Sequence, residues 1–375
     1  MFCLFSFLGP NGGDCSYPVA WNDIQPKFGW WKIPEKERIA NNSREVFAEC
    51  LYAPACLGGI NKKLADRHFE AAASTLHPNM TCSNALGFKN FSRLCHSCSN
   101  GYKRKGTNRC ALCPPNQSDN WLLIMGGGFV MFIVLAVISG DAVNQAGKQT
   151  LSASIQKILL NYLQVVTLFS AFPLRWPKEL EFLFEVQGAI STVGEHLLNP
   201  DCLTTSASGA ELYYSKQQMF AVLPVIIACI SFLIWYMYGV YSNHSFFKIR
   251  TNSTHTTPKD KFIITFTTIL YLLYPTLCKN AFGLFDCKLI GGKYFLKIDL
   301  EEECYTGRHW NMMIFLGVGQ LILYVIGLPL VVYVILHINR GTLKDHVTLA
   351  RYGLFYGSYK TDRFFWVSLI FVSIC

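Results

Sequence analysis

The chain has 375 residues and a formal net charge of +9, and 51% of its residues are hydrophobic against 15% charged. An average soluble domain carries about 25% charged residues, so this composition disfavours an ordinary soluble protein. The hydrophobic and the charged residues are unevenly distributed along the chain. Residues 1–120 are polar and rich in cysteine, whereas long apolar runs follow from Trp121 onward. This division predicts a small outer domain followed by a membrane-embedded region.

Two CxxC pairs stand close together in the N-terminal region, Cys95 with Cys98 and Cys110 with Cys113. Four thiolates at this spacing can bind one zinc ion, and the same thiols in an oxidising compartment form two disulfides. The compartment therefore decides between a zinc site and a bridged module, and the rest of the chain has to indicate the compartment.

Five apolar segments reach about 20 residues, the length that crosses the hydrocarbon core of a bilayer. They are residues 121–140, 152–172, 219–241, 261–284 and 310–338, and residues 364–375 begin a sixth that the sequence cuts off. We therefore predict an all-α multipass transmembrane helical bundle over residues 121–375, preceded by a small disulfide-rich ectodomain with little regular structure over residues 1–120. The interrupted sixth segment predicts that the sequence is a fragment of a longer protein.

The loops predict an orientation for this bundle. With residues 1–120 outside the cytosol, the loops at 141–151, 242–260 and 339–363 are cytosolic, and those at 173–218 and 285–309 are outside. The last two cytosolic loops are basic, in mild agreement with the positive-inside rule. We predict an integral protein of the plasma membrane or an endomembrane, with its N-terminal region extracellular or lumenal. Sequons there make Asn41, Asn79 and Asn90 the predicted glycosylation sites.

The cysteines favour this orientation. Of fifteen, nine lie in residues 1–120 and three in the outer loops, and none lies in a predicted cytosolic loop. An oxidising compartment produces such a distribution, so we predict disulfides in place of zinc. Cys287 is expected to pair with Cys304, and one odd cysteine remains, either Cys3 or a partner of Cys202. The other predicted bridged cysteines, whose pairing the sequence leaves open, are Cys50, Cys56, Cys82, Cys95, Cys98, Cys110 and Cys113.

Polar side chains in and beside the predicted spans are candidate functional residues. Lys157, Asn161 and Gln164 lie along one face of the second span. They indicate either a hydrated conduction or ligand path, or interhelical hydrogen bonds with Lys157 reaching the cytosolic surface. The run Glu301-Glu302-Glu303 either concentrates cations at an outer mouth or is a solvated loop. In the fifth span, Gln320 is a candidate partner across helices.

The segment Cys95–Pro115, with CxxC, Gly101-Tyr102, Gly106 and then CxxCPP, resembles the cysteine-rich ephrin-A/B-receptor-like repeats, an EGF-like type of module. The stretches Phe172–Pro177 and Tyr324–Pro329 resemble parts of the multipass region that follows such repeats in large proteins of microbial eukaryotes. That family is loosely similar to transient-receptor-potential-like channels. The resemblance implies an extracellular repeat module on a channel-like membrane region, and it transfers no pore or gate residue.

No phosphate-binding glycine loop, HExxH motif or nucleophile elbow occurs in the sequence, so we predict no enzyme, no catalytic residue, no metal site and no cofactor. The expected partners are the lipid bilayer, an extracellular ligand or acidic glycan, and a permeating cation. Nucleic acid is not expected, because an ectodomain does not meet it. The predicted function is a channel-like or sensing membrane protein, and the alternative is a cell-surface receptor or adhesion protein whose bundle is an anchor and signal relay. The oligomeric state is left open.

Overall fold

A computed structural model of the chain describes residues 2–3, 11–14, 19–20, 24–59, 61, 64, 81–105, 108–113, 116–144, 155, 158, 162, 202, 209–244, 257–357 and 363. The chain divides into two compact units, each made of three stretches. The first, here called the disulfide unit, comprises Met1–Leu122, Asn199–Ser215 and Gly283–Met313. The second, the helical unit, comprises Leu123–Leu198, Lys216–Phe282 and Ile314–Cys375.

The described residues of the disulfide unit include short antiparallel strand pairs and a short helix, α1 (Glu35–Ala40). In the described part of the chain β1 pairs with β3, β2 with β4, β5 with β6, β7 with β8 and β9 with β10. Two-stranded sheets of this length are marginally stable by themselves, so other interactions have to hold the unit together. The strands are β1 (Phe2–Cys3), β2 (Gly13–Asp14), β3 (Val19–Ala20), β4 (Gln25–Pro26), β5 (Trp30–Lys32), β6 (Phe47–Glu49), β7 (Tyr102–Lys105), β8 (Arg109–Leu112), β9 (Cys287–Ile290) and β10 (Lys293–Leu296).

Disulfides supply part of that stability. The bridges between described cysteines are Cys50–Cys56, Cys82–Cys95, Cys98–Cys110, Cys113–Cys202 and Cys287–Cys304. Cys113–Cys202 closes 89 residues of sequence and ties the N-terminal region to the loop that precedes the helix at residue 209. The structure joins Cys287 to Cys304, the pair expected from sequence, and it assigns Cys202 a partner in the CxxC segment.

The two CxxC pairs share one bridge, Cys98–Cys110, whereas two bridges were expected within residues 95–113. Leu94 and Cys95 have φ values of 51° and 50°, so the chain turns through the left-handed region and Cys95 is directed back to Cys82. Cys98 instead pairs with Cys110 of β8. Because the four sulfurs belong to three separate bridges, they do not form the zinc site that was the alternative.

The hydrophobic core of the disulfide unit combines residues from distant parts of the sequence. Trp31, Phe88 and Leu94 come from the N-terminal region, whereas Phe295 and Leu300 come from the hairpin β9–β10 and the loop after it. Burying a side chain of this size stabilises a fold by about 1.5–3 kcal/mol. The unit therefore has one core to which the N-terminal region and residues 287–300 both contribute.

In the part of the chain that the structure describes at length, five helices follow the N-terminal region. They are α2 (Gln117–Asn144), α3 (Gly209–His244), α4 (Pro258–Gly283), α5 (Gly307–Ile338) and α6 (His346–Tyr356). Within α5, the stretches Met313–Val318 and Leu321–Ile326 are π-helical. Buried side chains of α4, α5, α6 and the loop between α5 and α6 form one core in the helical unit: Tyr271, Tyr274, Cys278, Leu336, Leu343, Phe355 and Tyr356.

Among the described residues, three helical segments are long and apolar enough to cross a membrane: Gly209–Tyr241 in α3, Pro258–Gly283 and Gly307–Ile338. They confirm helices of spanning length at the predicted segments 219–241, 261–284 and 310–338. The predicted segment 121–140 lies within α2. The predicted spans 152–172 and 364–375 lie outside the described residues, apart from positions 155, 158 and 162, so a bundle of six helices stays a prediction.

Candidate functional site: the junction at the β9–β10 hairpin

The hairpin β9–β10 and the loop after it, residues 287–306, form the junction at which the separate stretches of the disulfide unit meet. Gly291 and Gly292 make its two-residue turn with φ values of 57° and 88°. Positive φ at both positions is typical of the tight hairpin turns that favour glycine. A Cβ on Gly292 would lie 2.9 Å from Cβ of Asn41, so the turn also has to pass close to the N-terminal region.

Arg93 is the central contact between the N-terminal region and this junction. Its side chain is 12% exposed and its guanidinium lies 3.8 Å from the centre of the Phe295 ring. Arg93 Nη1 donates to Leu300 O at 2.7 Å, and Nη2 donates to Glu37 Oε1 at 2.8 Å. The backbone N–H of Arg93 donates to Glu301 Oε1 at 2.9 Å. One side chain thus joins α1, the cysteine-rich segment and the loop after β10.

The three consecutive glutamates of the junction contact three different parts of the unit. Glu301 accepts from Arg93, and its Oε2 lies 3.6 Å from Arg93 Nη1. Glu302 pairs with Arg308 at 2.7 Å and accepts from the Tyr214 hydroxyl at 3.2 Å. Glu303 pairs with Lys293 of the same hairpin at 2.9 Å.

These pairings change the interpretation of the run Glu301-Glu302-Glu303. The sequence offered either a cation-concentrating mouth or a solvated loop, and the structure shows carboxylates that are each paired with a basic residue, with Glu301 and Glu303 51% and 37% exposed. Glu302 has the structural role with the widest reach, because Tyr214 belongs to the first turns of α3 and Arg308 to the first turn of α5.

A second set of polar contacts surrounds His96, which is 3% exposed. Arg104 Nη1 lies 2.8 Å from His96 Nε2, and Arg104 Nη2 donates to the His96 carbonyl at 2.7 Å. His96 Nε2 also lies 3.2 Å from the carbonyl of Ile298 in the junction. Burial, followed by the positive charge of Arg104, lowers the pKa of His96 to about 3, so the ring is neutral at physiological pH.

Asp299, in the loop after β10, lies against the start of α3. A Cβ on Gly209 would lie 2.8 Å from Asp299 Oδ2, so this carboxylate is packed against the N-terminal end of α3, where a negative charge is favourable. Asp299 is 7% exposed, and burial raises the pKa of its carboxyl group, while the backbone N–H of Glu301 and the charge of Arg104 act against that increase. Asp299 and His96 are therefore buried ionisable groups whose pKa values move in opposite directions.

Cys287, Cys304 and His309 place three possible metal ligands within 4.8 Å of one another. The two sulfurs are joined in a disulfide, which removes them as thiolate ligands. His309 is also occupied: its Nδ1 accepts from the Tyr305 backbone N–H at 3.1 Å, which leaves Nε2 to donate to the Leu284 carbonyl at 3.1 Å. This group is therefore structural in the bridged state.

The remaining predicted site residues are placed as follows. Asn41 is half-buried beside the β9–β10 turn, and Asn90 accepts the Thr81 and Cys82 backbone N–H groups through Oδ1 at 3.1 and 3.3 Å. Glycosylation of either residue stays a prediction. Asn79, Lys157, Asn161 and Gln164 lie outside the described residues.

Sequence reasoning missed Arg93, His96 and Asp299. No motif marks them, since each acquires its role from a contact more than 200 residues away in sequence or from burial. The glutamate run was found by its composition, but its partners could not be.

Comparisons with known proteins place this architecture beside one curated relative. The chain is 21% identical over 434 aligned positions to cysteine repeat modular protein A of Toxoplasma gondii, and the alignment covers 98% of the chain and 13% of that protein. The chain thus corresponds to a small part of a much longer relative. No protein-family model matches the chain, and no solved structure matches it. A cysteine-rich relative and the disulfides of the structure both fit a cysteine-rich outer region carried by apolar helices.

Proposed function

We propose that the protein is an integral membrane sensor in which the disulfide unit faces an extracellular or lumenal space and transmits its state to the membrane-spanning helices. The observation that carries this proposal is the composition of the disulfide unit. It contains the N-terminal cysteine-rich region together with the first turns of α2, α3 and α5. A ligand that shifts the cysteine-rich region therefore acts on the ends of helices that belong to the same compact body.

The contacts of Glu302 support this route. Its carboxylate accepts from Tyr214 on α3 and from Arg308 on α5, so one side chain holds the starts of two candidate spans. Arg93 links the same loop to the cysteine-rich segment. The bridge Cys113–Cys202 adds a covalent link from that segment to the loop that leads into α3.

Acidic glycans are the ligand class that the charge of the N-terminal region favours. The chain has an excess of basic residues overall, with a formal net charge of +9. Exposed basic side chains in the described N-terminal residues are Lys36, Arg44, Lys89 and Arg109. A basic surface raises the local concentration and the association rate of polyanions. The name of the Toxoplasma relative, a cysteine repeat modular protein, agrees with a cysteine-rich module.

A pair of neighbouring substitutions tests the route. The full protein is reconstituted in nanodiscs, and hydrogen exchange is measured by mass spectrometry for wild type, Glu302→Gln and Glu303→Gln. Glu302→Gln is expected to raise exchange in residues 209–215 and 307–313, whereas the matched control Glu303→Gln, whose partner Lys293 lies in the same hairpin, is expected to affect only residues 287–304. Equal effects of the two changes on the helix starts would contradict the proposal.

Channel activity is a second candidate function, favoured by two buried amide side chains, Gln217 on α3 and Gln320 on α5, that are linked by a hydrogen bond. Intramembrane polar groups of this kind commonly mark substrate or ion paths. Single-channel recording from the reconstituted protein tests this candidate. A current that changes on substitution of Lys157 or Gln164 supports channel activity. If membranes that contain the intact protein carry no current, the sensor role is the remaining proposal.

A further inference from the structure

The hairpin β7–β8 lies in a stretch of the chain that has many basic residues and no acidic ones. Residues 81–113 contain six lysines and arginines, and neither aspartate nor glutamate occurs among them. The two strands hold four of the six: Lys103, Arg104, Lys105 and Arg109. Basic runs of this kind are typical of segments that bind polyanions such as heparin, provided that contacts within the fold do not already use the side chains.

Two of the six basic residues are directed into the disulfide unit. The side chain of Arg93 is 12% exposed and pairs with Glu37 and Glu301. Arg104 Nη2 donates to the carbonyl of the buried His96 at 2.7 Å. These two side chains therefore serve the interior of the unit. The other four basic residues of the stretch are Lys89, Lys103, Lys105 and Arg109.

Three of these four share one face of the hairpin. Side chains alternate between the two faces along a strand. Arg104 contacts His96, and a Cβ on Gly87 would overlap the Tyr102 ring, so positions 102 and 104 of β7 face the rest of the unit. Positions 103 and 105 belong to the opposite face, and Arg109 is the ladder partner of position 105 and shares its face. Positions 103, 105 and 109 are called the basic face below.

An aromatic ring holds the arginine of the basic face in place. Arg109 is exposed, and its guanidinium lies 5.5 Å from the centre of the Tyr52 ring. Tyr52 in turn packs against the buried Phe88, with ring centres 6.1 Å apart. A guanidinium held over a ring keeps its planar fork of donors oriented, and such a fork suits the oxygens of a sulfate or carboxylate group. The basic face thus combines concentrated positive charge with an oriented oxyanion donor.

The spacing of the basic face indicates the kind of polyanion. Two residues along a strand and one strand separation place its three positions within roughly 7 Å by 5 Å. A sulfated disaccharide carries several anionic groups, whereas an unsulfated disaccharide with a uronic acid carries a single one. We propose that the basic face of the β7–β8 hairpin binds a sulfated polysaccharide. The inference rests on the proposed function and deepens it, because it names the acidic glycan and the surface that binds it.

Heparin binding to the full protein tests the site. Two exposed basic residues with acidic neighbours provide a matched control: Lys36 lies between Glu35 and Glu37, and Arg44 precedes Glu45. The protein is reconstituted in nanodiscs of zwitterionic lipid, and its Kd for heparin is measured by biolayer interferometry at several salt concentrations. The variants are Lys103→Gln with Arg109→Gln, and Lys36→Gln with Arg44→Gln.

The hairpin variant is expected to raise the Kd at least about tenfold and to lower the slope of log affinity against log salt by about two, because each ion pair with a polyanion contributes about one. The control variant is expected to bind within about twofold of wild type, because acidic neighbours offset its basic residues. Equal weakening in the two variants would overturn the hairpin as the site, since it would show a diffuse attraction to the whole basic surface.

Hyaluronan, which carries carboxylates and no sulfate, tests the class of ligand. It is expected to leave heparin binding unchanged at equal mass concentration, and displacement of heparin would overturn the preference for sulfate. Wild-type protein that does not bind heparin would overturn the site together with the acidic glycan as ligand. The exchange comparison of Glu302→Gln with Glu303→Gln separates that outcome from a failure of the sensor route, because it requires no glycan.

Discussion

Replacing Arg93 by Ala is expected to release the junction from the cysteine-rich segment. The change removes the hydrogen bond to the Leu300 carbonyl, which is worth about 1.5–3 kcal/mol for a charged donor. It also removes the contact with the Phe295 ring, worth about 0.5–2 kcal/mol. Glu37 and Glu301 are 36% and 51% exposed, so their ion pairs with Arg93 add little. The expected loss is about 2–4 kcal/mol in the free energy of opening the junction, because such terms are not fully additive.

Hydrogen exchange measures this opening directly. The amides of Leu296 and Cys304 donate to the Glu302 and Tyr294 carbonyls, so their protection reports whether the loop is closed. A loss of about 2–4 kcal/mol corresponds to exchange faster by roughly 30-fold to several hundredfold, since about 1.4 kcal/mol is a factor of ten. Arg93→Lys keeps the charge and loses the planar fork, so an intermediate effect is expected. Lys293→Ala, which breaks an exposed pair, is the control, and an Arg93→Ala effect no larger than this control would refute the reasoning.

Three further predictions concern the disulfide unit. Lowering the pH from 7 to 5 is expected to destabilise the disulfide unit by about 2 kcal/mol through His96. The pKa of His96 is about 3 in the folded unit and 6.5 in the unfolded chain, so the unfolded chain binds more protons as the pH falls. Unfolding measured at both pH values should lose this part of its pH dependence in His96→Gln. Asp299→Asn is expected to stabilise the disulfide unit more at pH 7 than at pH 4. Burial raises the pKa of the Asp299 carboxyl group in the folded unit, so the unit loses stability as the pH rises through that pKa. An equal effect of the substitution at both pH values would contradict a raised pKa at Asp299. Replacing Cys113 and Cys202 together by Ala is expected to lower the free energy of unfolding by about 4–5 kcal/mol in the chain-entropy model, and replacing Cys50 and Cys56 by about 2 kcal/mol. The difference arises because the bridges span sequence separations of 89 and 6 residues. Thermal unfolding of the two double variants tests this comparison.

The parts of the fold that the sequence predicts are those with a local pattern. Long apolar runs specify helices because the backbone of a membrane span has to satisfy its own hydrogen bonds, and three such runs are helices of spanning length. Segments 152–172 and 364–375 carry the same kind of pattern, and they lie outside the described residues. The interval between Cys287 and Cys304 suggested a bridge within one loop, and the structure joins them.

The site depends on contacts that have no local pattern. The pairing of Cys95 with Cys82 follows from the left-handed backbone conformation of Leu94 and Cys95. Neither residue is a glycine, so the sequence contains no signal for this turn. Arg93 finds its acceptor at Leu300, 207 residues away. Gln320 was predicted only as a partner across helices, and its place beside two π-helical stretches could not be derived from an apolar run that reads as a regular helix.

The cysteine-rich N-terminal region belongs to one disulfide-stabilised unit together with the segments Asn199–Ser215 and Gly283–Met313. Mass-spectrometric mapping of the disulfides, under non-reducing conditions and on the protein purified from a eukaryotic membrane, tests it most directly. The account predicts a peptide containing Cys113 linked to a peptide containing Cys202, together with Cys82–Cys95, Cys98–Cys110 and Cys287–Cys304. A bridge from Cys95 or Cys113 to another cysteine of residues 95–113, or free thiols there that bind zinc, would contradict it.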